Sequence, residues 1–129
     1  MDARRLKRLT KLVQVQRQIQ ALHETRHANH LASSVAAEKE AHELIEGFDS
    51  GALSSTLFPD LYHNRISSAF ARRDQERDLA AGEVKHVVSA TLRADKIDQE
   101  RQQAARVLEE KSEERLRLER AAHTGKHPK

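Results

Sequence analysis

Between Ala3 and Glu46 the chain contains neither glycine nor proline, and between Asp60 and Ala122 the single interruption is Gly82. Stretches of this length are far longer than strands and carry none of the turn residues that would divide them into shorter elements. Apolar residues in the first stretch fall at Leu6, Leu9, Leu12, Val13, Val15, Ile19 and Leu22, then at Ala28, Leu31, Val35, Ala41 and Ile45. These are steps of three and four, the period of a helix with one buried face. In the second they fall at Leu61, Ile66, Ala69, Phe70, Ala80, Val84, Val87, Val88, Ala94, Ile97, Ala104, Ala105, Leu108, Leu116 and Leu118, with Thr91 on the same stripe.

Between the two runs, Glu46-Gly47-Phe48-Asp49-Ser50-Gly51 supplies a helix stop at Gly47 and a second flexible point at Gly51. Ser54, Ser55 and Thr56 are capping candidates, Pro59 suits a first helical turn, and Asp60 suits the positive end of the helix dipole. Gly125 and Pro128 close the second run. The reading is an all-α fold of two long, unequal helices forming an antiparallel coiled-coil hairpin over residues 1–129. Helix 1 spans about 3–46, the turn about 47–58, helix 2 about 59–122, and a short flexible tail follows at 123–129. Arg73, Arg77 and Arg101 fall on or beside the expected seam, so a strict heptad is not expected. Counting outward from the turn places Ala3 beside approximately residue 104, with Ala105 to Ala122 overhanging.

Composition agrees. Of the 48 hydrophobic residues, 18 are alanine, aromatics are 3%, and charged residues make up 33% of the chain. A thick globular core is excluded, whereas long solvated helices suit this mixture of good helix formers. Cysteine is absent, which removes disulfide and thiolate chemistry and fits a reducing compartment. No run approaches the length of a membrane span and no cleaved leader is expected, so the expectation is a soluble, cytoplasmic chain.

One motif has a catalytic look. His23-Glu24-Thr25-Arg26-His27 matches the H-E-x-x-H of zinc hydrolases, where two imidazoles one turn apart hold the metal and the glutamate acts as base. A third ligand and a substrate-binding strand are also needed, and the sequence offers neither. His23, His27 and His30 could alternatively form an adventitious metal site on one helix face, or be solvated polar residues. His42, His63, His86, His123 and His127 are scattered. No catalytic residue, cofactor or metal is assigned.

Charge is concentrated at the start, where Arg4, Arg5, Lys7, Arg8, Lys11 and Arg17 face a lone Asp2 within a chain whose formal charge is only +3. A solvated face, an acidic protein surface, and nucleic acid or an anionic membrane are the readings open to such a run. No aromatic interleaves these cations to stack bases, so nucleic acid is not expected and membrane contact is peripheral at most. Helix 2 is electrically balanced, with 13 basic and 13 acidic residues between Pro59 and Ala122. Leu108, Leu116 and Leu118 lie in the expected overhang and form a candidate docking stripe.

A hairpin of two unequal helices with a basic start and a Gly-Ser turn resembles the FliJ family of flagellar export proteins and their injectisome relatives. The likeness runs through Leu12-Val13-Gln14-Val15-Gln16-Arg17-Gln18-Ile19-Gln20 and the turn-proximal Leu57-Phe58-Pro59-Asp60-Leu61-Tyr62-His63-Asn64-Arg65-Ile66. The alanine-rich second helix and shorter tail depart from the family pattern. The resemblance implies a non-enzymatic stalk of flagellar or type III protein export, whose paired termini enter a hexameric export ATPase and whose turn reaches an export-gate protein. Export chaperones are further partners it allows. It implies a monomer, cytoplasmic or peripheral at the inner membrane through the export apparatus. Under it, Arg4, Arg5, Lys7, Arg8, Lys11, Leu108, Leu116 and Leu118 belong to the ATPase end, and Phe48, Phe58 and Tyr62 face the other partner. A generic coiled-coil scaffold or chaperone is the alternative, and a zinc metallohydrolase a distant third.

Overall fold

In the computed structural model, which describes residues 2–51 and 56–125, the chain is an all-α antiparallel hairpin of two helices. Helix α1 is Asp2–Asp49 and helix α2 is Pro59–Gly125. Both outrun their expected ends by a few residues. Gly47 lies inside α1 and does not stop it. An added Cβ there would make only an ordinary van der Waals contact with the Tyr62 ring, at 3.8 Å. The stop is Gly51, the one glycine with positive φ (71°) among the described residues, where any Cβ would be disfavoured. Ser50 N–H donates to the Glu46 carbonyl at 2.9 Å and Gly51 N–H to the Phe48 carbonyl at 3.2 Å, satisfying part of the helix end. At the start of α2, the Phe58 carbonyl accepts from Tyr62 N–H at 3.3 Å and Pro59 is the first helical residue, where its missing N–H costs nothing. The capping candidates Ser54 and Ser55, and Pro128, lie outside the described residues.

The chain divides into two compact units, residues 1–19 with 90–129 as unit 1 and residues 20–89 as unit 2. In unit 2 one series of covered positions on α1 runs through Gln20, His23, His27, His30, Ser34, Ala37, Ala41, Leu44 and Phe48, with Glu38, Glu40, Ile45 and Gly47 half-buried beside it. On α2 the facing series is Tyr62, Ile66, Ala69, Arg73, Glu76, Ala80, Glu83 and Val87, with Phe70, Gly82 and Ser89 half-buried beside it. Each series alternates steps of three and four without a break, which is a strict heptad seam. In unit 1 the same alternation runs through Asp2, Leu6, Leu9, Val13 and Gln16 on α1, and Ala90, Ala94, Ile97, Arg101, Ala104 and Leu108 on α2. The expectation of a broken heptad is thus corrected. Arg73 and Arg101 do sit on the seam, with Arg77 beside it, but they keep its phase by laying their stems along it while their guanidinium groups reach carboxylates at the edge.

The apolar stripe expected from sequence is also partly displaced. Leu12, Val15, Leu22, Leu31 and Val35 of α1, and Val84 and Val88 of α2, are exposed, as are Leu116 and Leu118. What the helices bury is small: Ala37, Ala41, Ala69, Ala80, Ala90, Ala94 and Ser34, with Leu9 the one large side chain among the buried residues. Alanines on the facing surfaces let two helices approach closely, and close approach leaves bulky side chains to the flanks. Covering a methyl group gains about 0.8 kcal/mol, against about 1–2 kcal/mol of backbone entropy for each residue ordered. A seam of this kind therefore leans on helix propensity and on polar contacts across it.

Candidate interaction surfaces

Unit 1 holds the basic start of α1. Arg4, Lys7, Arg8 and Lys11 are all exposed, follow one another at helical spacing on one outward face, and line a single surface recess. Arg5 is separate from them. It lies beside Asp2, Glu100 and Val107, where its charge helps hold the Asp2 carboxyl in its ionised form. Asp2 accepts a hydrogen bond from Lys111 Nζ at 2.5 Å. That bond, before any other cause, lowers the Asp2 carboxyl below its ordinary range. The Asp2–Lys111 bond and the Arg17–Asp95 pair at 2.8 Å, both exposed, mark the register of this unit.

That register corrects the expected overhang. With Asp2 at Lys111, α1 covers α2 several residues further than counting from the turn suggested. Leu108 is consequently half-buried, in a groove with Ala3, Leu6, Lys7 and Thr10, and is a seam residue. Leu116 and Leu118 are exposed, but two residues apart on a helix they point to nearly opposite sides and form no common stripe with Leu108. Every residue from Glu109 to Thr124 is exposed.

Unit 2 holds the H-E-x-x-H segment. His23 and His27 lie on the seam and face α2, whereas Glu24 is exposed and accepts from Gln20 at 3.0 Å. His23 Nδ1 is 2.5 Å from Glu83 Oε2 and its ring stacks on His86, centroids 4.8 Å apart. One heptad along, His30 Nδ1 is 2.6 Å from Glu76 Oε2. The His23 and Glu83 side chains are only 17% and 14% exposed, so this is a polar layer built into the interface. The bond from His23 is the largest influence on Glu83 and lowers its carboxyl pKa against the opposing effect of burial; the charges of His23, His86 and Arg26 add to the lowering. The motif's spacing, which matches a metal-ligand pattern in sequence, here puts His23 and His27 at successive seam positions. Among the described residues no group of three or more histidine, aspartate or glutamate side chains is placed to hold a metal ion.

The sequence reading missed Glu76 and Glu83 altogether. Their signal was available: two glutamates one heptad apart, in a chain where two histidines, His23 and His30, are also one heptad apart.

The aromatic residues near the turn divide. Phe48 and Tyr62 are half-buried and pack on each other, centroids 6.2 Å apart, with His63 5.0 Å from Phe48. Phe58 is exposed, together with Leu57 and Leu61. Only Phe58 of the three expected aromatics offers an open surface. Among the described residues no helix is long and apolar enough to cross a membrane.

Comparison with known proteins adds no relative: no family model, no curated protein and no solved structure matches this chain.

Proposed function

We propose that the protein is a non-enzymatic accessory component of flagellar or type III protein export, a helical stalk whose unit 1 binds the export ATPase and whose turn contacts the export gate. The observation that carries this reading is the pairing in unit 1 of the basic start of α1 with the late part of α2. It leaves Arg4, Lys7, Arg8 and Lys11 without carboxylate partners among the described residues, beside an α2 extension exposed on all sides. Four cations on one face of the first three turns of α1 repel one another, and Arg4 also meets the positive end of the helix dipole, a cost that an acidic partner would offset. An asymmetric helical body inside a ring of six subunits contacts them unequally, and so biases their nucleotide states by differential binding. At the turn, Leu57, Phe58 and Leu61 supply the apolar contact for the second partner.

The test is co-purification with an export ATPase. Replacing Arg4, Lys7, Arg8 and Lys11 together by glutamine should abolish association while the far-ultraviolet helical signal is unchanged. Undiminished association at physiological salt removes the reading. A scaffold role is favoured by a different observation, the many large aliphatic side chains left outside the seam, and one group of these forms a surface in its own right.

A further inference from the structure

One side of unit 2 is apolar across both helices. Glu38 of α1 pairs with Arg77 of α2 at 3.2 Å, and both residues occupy the position that follows the seam. One heptad further in each chain direction, the same register sets Leu31 opposite Val84. Outside this pair lie Ala28 and Val35 on α1 and Ala81 and Val88 on α2, all exposed; Val35 is 64% and Val88 53% open to solvent. The T-shaped contact of His42 with Phe70, centroids 6.2 Å apart, belongs to the same flank. The result is a six-residue surface without a charge, bordered toward the turn by Glu38, Arg77, His42 and Asp74.

The order of sizes on this surface is distinctive. Along α1 it reads Ala28, Leu31, Val35 and along α2 Ala81, Val84, Val88, the same spacing with the small residue first in each. Because the helices are antiparallel, Ala28 lies level with Val88 and Val35 with Ala81. Suppose a second copy is laid face to face about a two-fold axis parallel to the helices. Every alanine then meets a valine, small against large, and Leu31 meets Val84 at the centre. The same axis brings Glu38 against Arg77 of the second copy, and His42 against Asp74. An axis across the helices would set Glu38 against Glu24 of the second copy, carboxylate on carboxylate.

We propose that this face is a self-association surface, on which a second copy of the chain docks with α1 over α2 to complete a four-helix bundle around unit 2. The close alanine seam holds each hairpin together, and the second seam covers the aliphatic side chains that the first one excludes. The resemblance to export stalks implies a monomer; Ala28, Leu31, Val35, Val84 and Val88, which read as core in the sequence, lie outside the seam, and that exposure argues for a second copy. The surface is short, so association belongs in the micromolar range of weak, reversible interfaces. It does not rest on the export reading, since the basic face of that reading belongs to unit 1, and either proposal can fail without the other.

The chain has no cysteine, which makes the geometry directly testable. Sedimentation of the full chain from low micromolar to submillimolar concentration should show apparent mass rising from one copy to two. Val35→Glu and Val88→Glu, both at open positions, should keep full helicity and remain monomeric throughout. Under mild oxidation a mixture of Leu31→Cys and Val84→Cys chains should form the mixed disulfide dimer several times faster than either variant alone. A wild-type chain that stays monomeric at every concentration, a dimer untouched by both glutamate variants, or Leu31→Cys linking chiefly to itself would each overturn the proposal.

Discussion

At the residue scale, the chain places ionisable groups where a coiled coil ordinarily places leucine or isoleucine. His23 with Glu83 and His30 with Glu76 span the seam, and Arg73 and Arg101 occupy seam positions outright. Each carries a hydrogen-bonded partner, which is the condition for tolerating polarity at an interface. The pH consequence follows from Glu83. Its carboxyl is held below the ordinary value near 4.5 in the folded state, so its ionised form favours folding. That contribution is fully present above the unfolded value and is lost as pH falls through the lowered folded value. Glu83→Gln should therefore lower the thermal midpoint at pH 6 to 7 and make progressively less difference below about pH 4.5. Circular dichroism melts of both proteins across that range measure it, and a gap that widens on acidification would contradict the assignment. The same sign holds for Asp2 and Asp98 in unit 1, the latter held low chiefly by its bond from Arg101.

At the scale of the helices, the seam assignment separates residues that the sequence makes look alike. Existence, length and direction of both helices were legible because glycine and proline are confined to their ends, apart from Gly82, and because apolar steps of three and four persist throughout. Which stripe faces inward was not legible. On α1 the series Leu6, Leu9, Val13 and the series Leu12, Val15, Ile19, Leu22 both fit a heptad, and periodicity cannot choose between them. The choice falls to the partner helix, whose alanines at positions 69, 80, 90 and 94 admit a close approach that a leucine-lined seam would prevent. The distinction is measurable. Ala41→Leu or Ala69→Leu inserts three heavy atoms where each alanine has 0% exposure and should cost about 1–3 kcal/mol in urea unfolding. Val35→Ala, on the stripe that sequence alone puts inside, should change stability by no more than about 0.5 kcal/mol, measured on dilute protein where any self-association is dissociated. A large loss from Val35→Ala with a tolerated Ala69→Leu would exchange the two stripes.

At the scale of the whole molecule, the candidate surfaces were less legible than the fold, because each depends on a register that only pairing supplies. The basic quartet is visible in sequence, but the exclusion of Arg5 from it required the neighbouring Asp2, Glu100 and Val107. Leu108 could be assigned to the seam only once Asp2 was found at Lys111. The last prediction concerns what lies beyond that bond. The segment following Lys111 is exposed on every side, and an isolated helix of its length, about 14 residues, is marginal in water. Its role in folding should therefore be slight and its susceptibility to cleavage high. Trypsin at low ratio should cut after Arg115, Arg117 and Arg120 before any site between residues 20 and 108. A chain ending at Lys111 should melt within a few degrees of the full protein. If the export reading holds, that same shortened chain loses affinity for the ATPase while keeping its melting temperature. A shortened chain that melts far lower would instead make the segment a structural part of unit 1, and its exposed leucines would no longer be available to a partner.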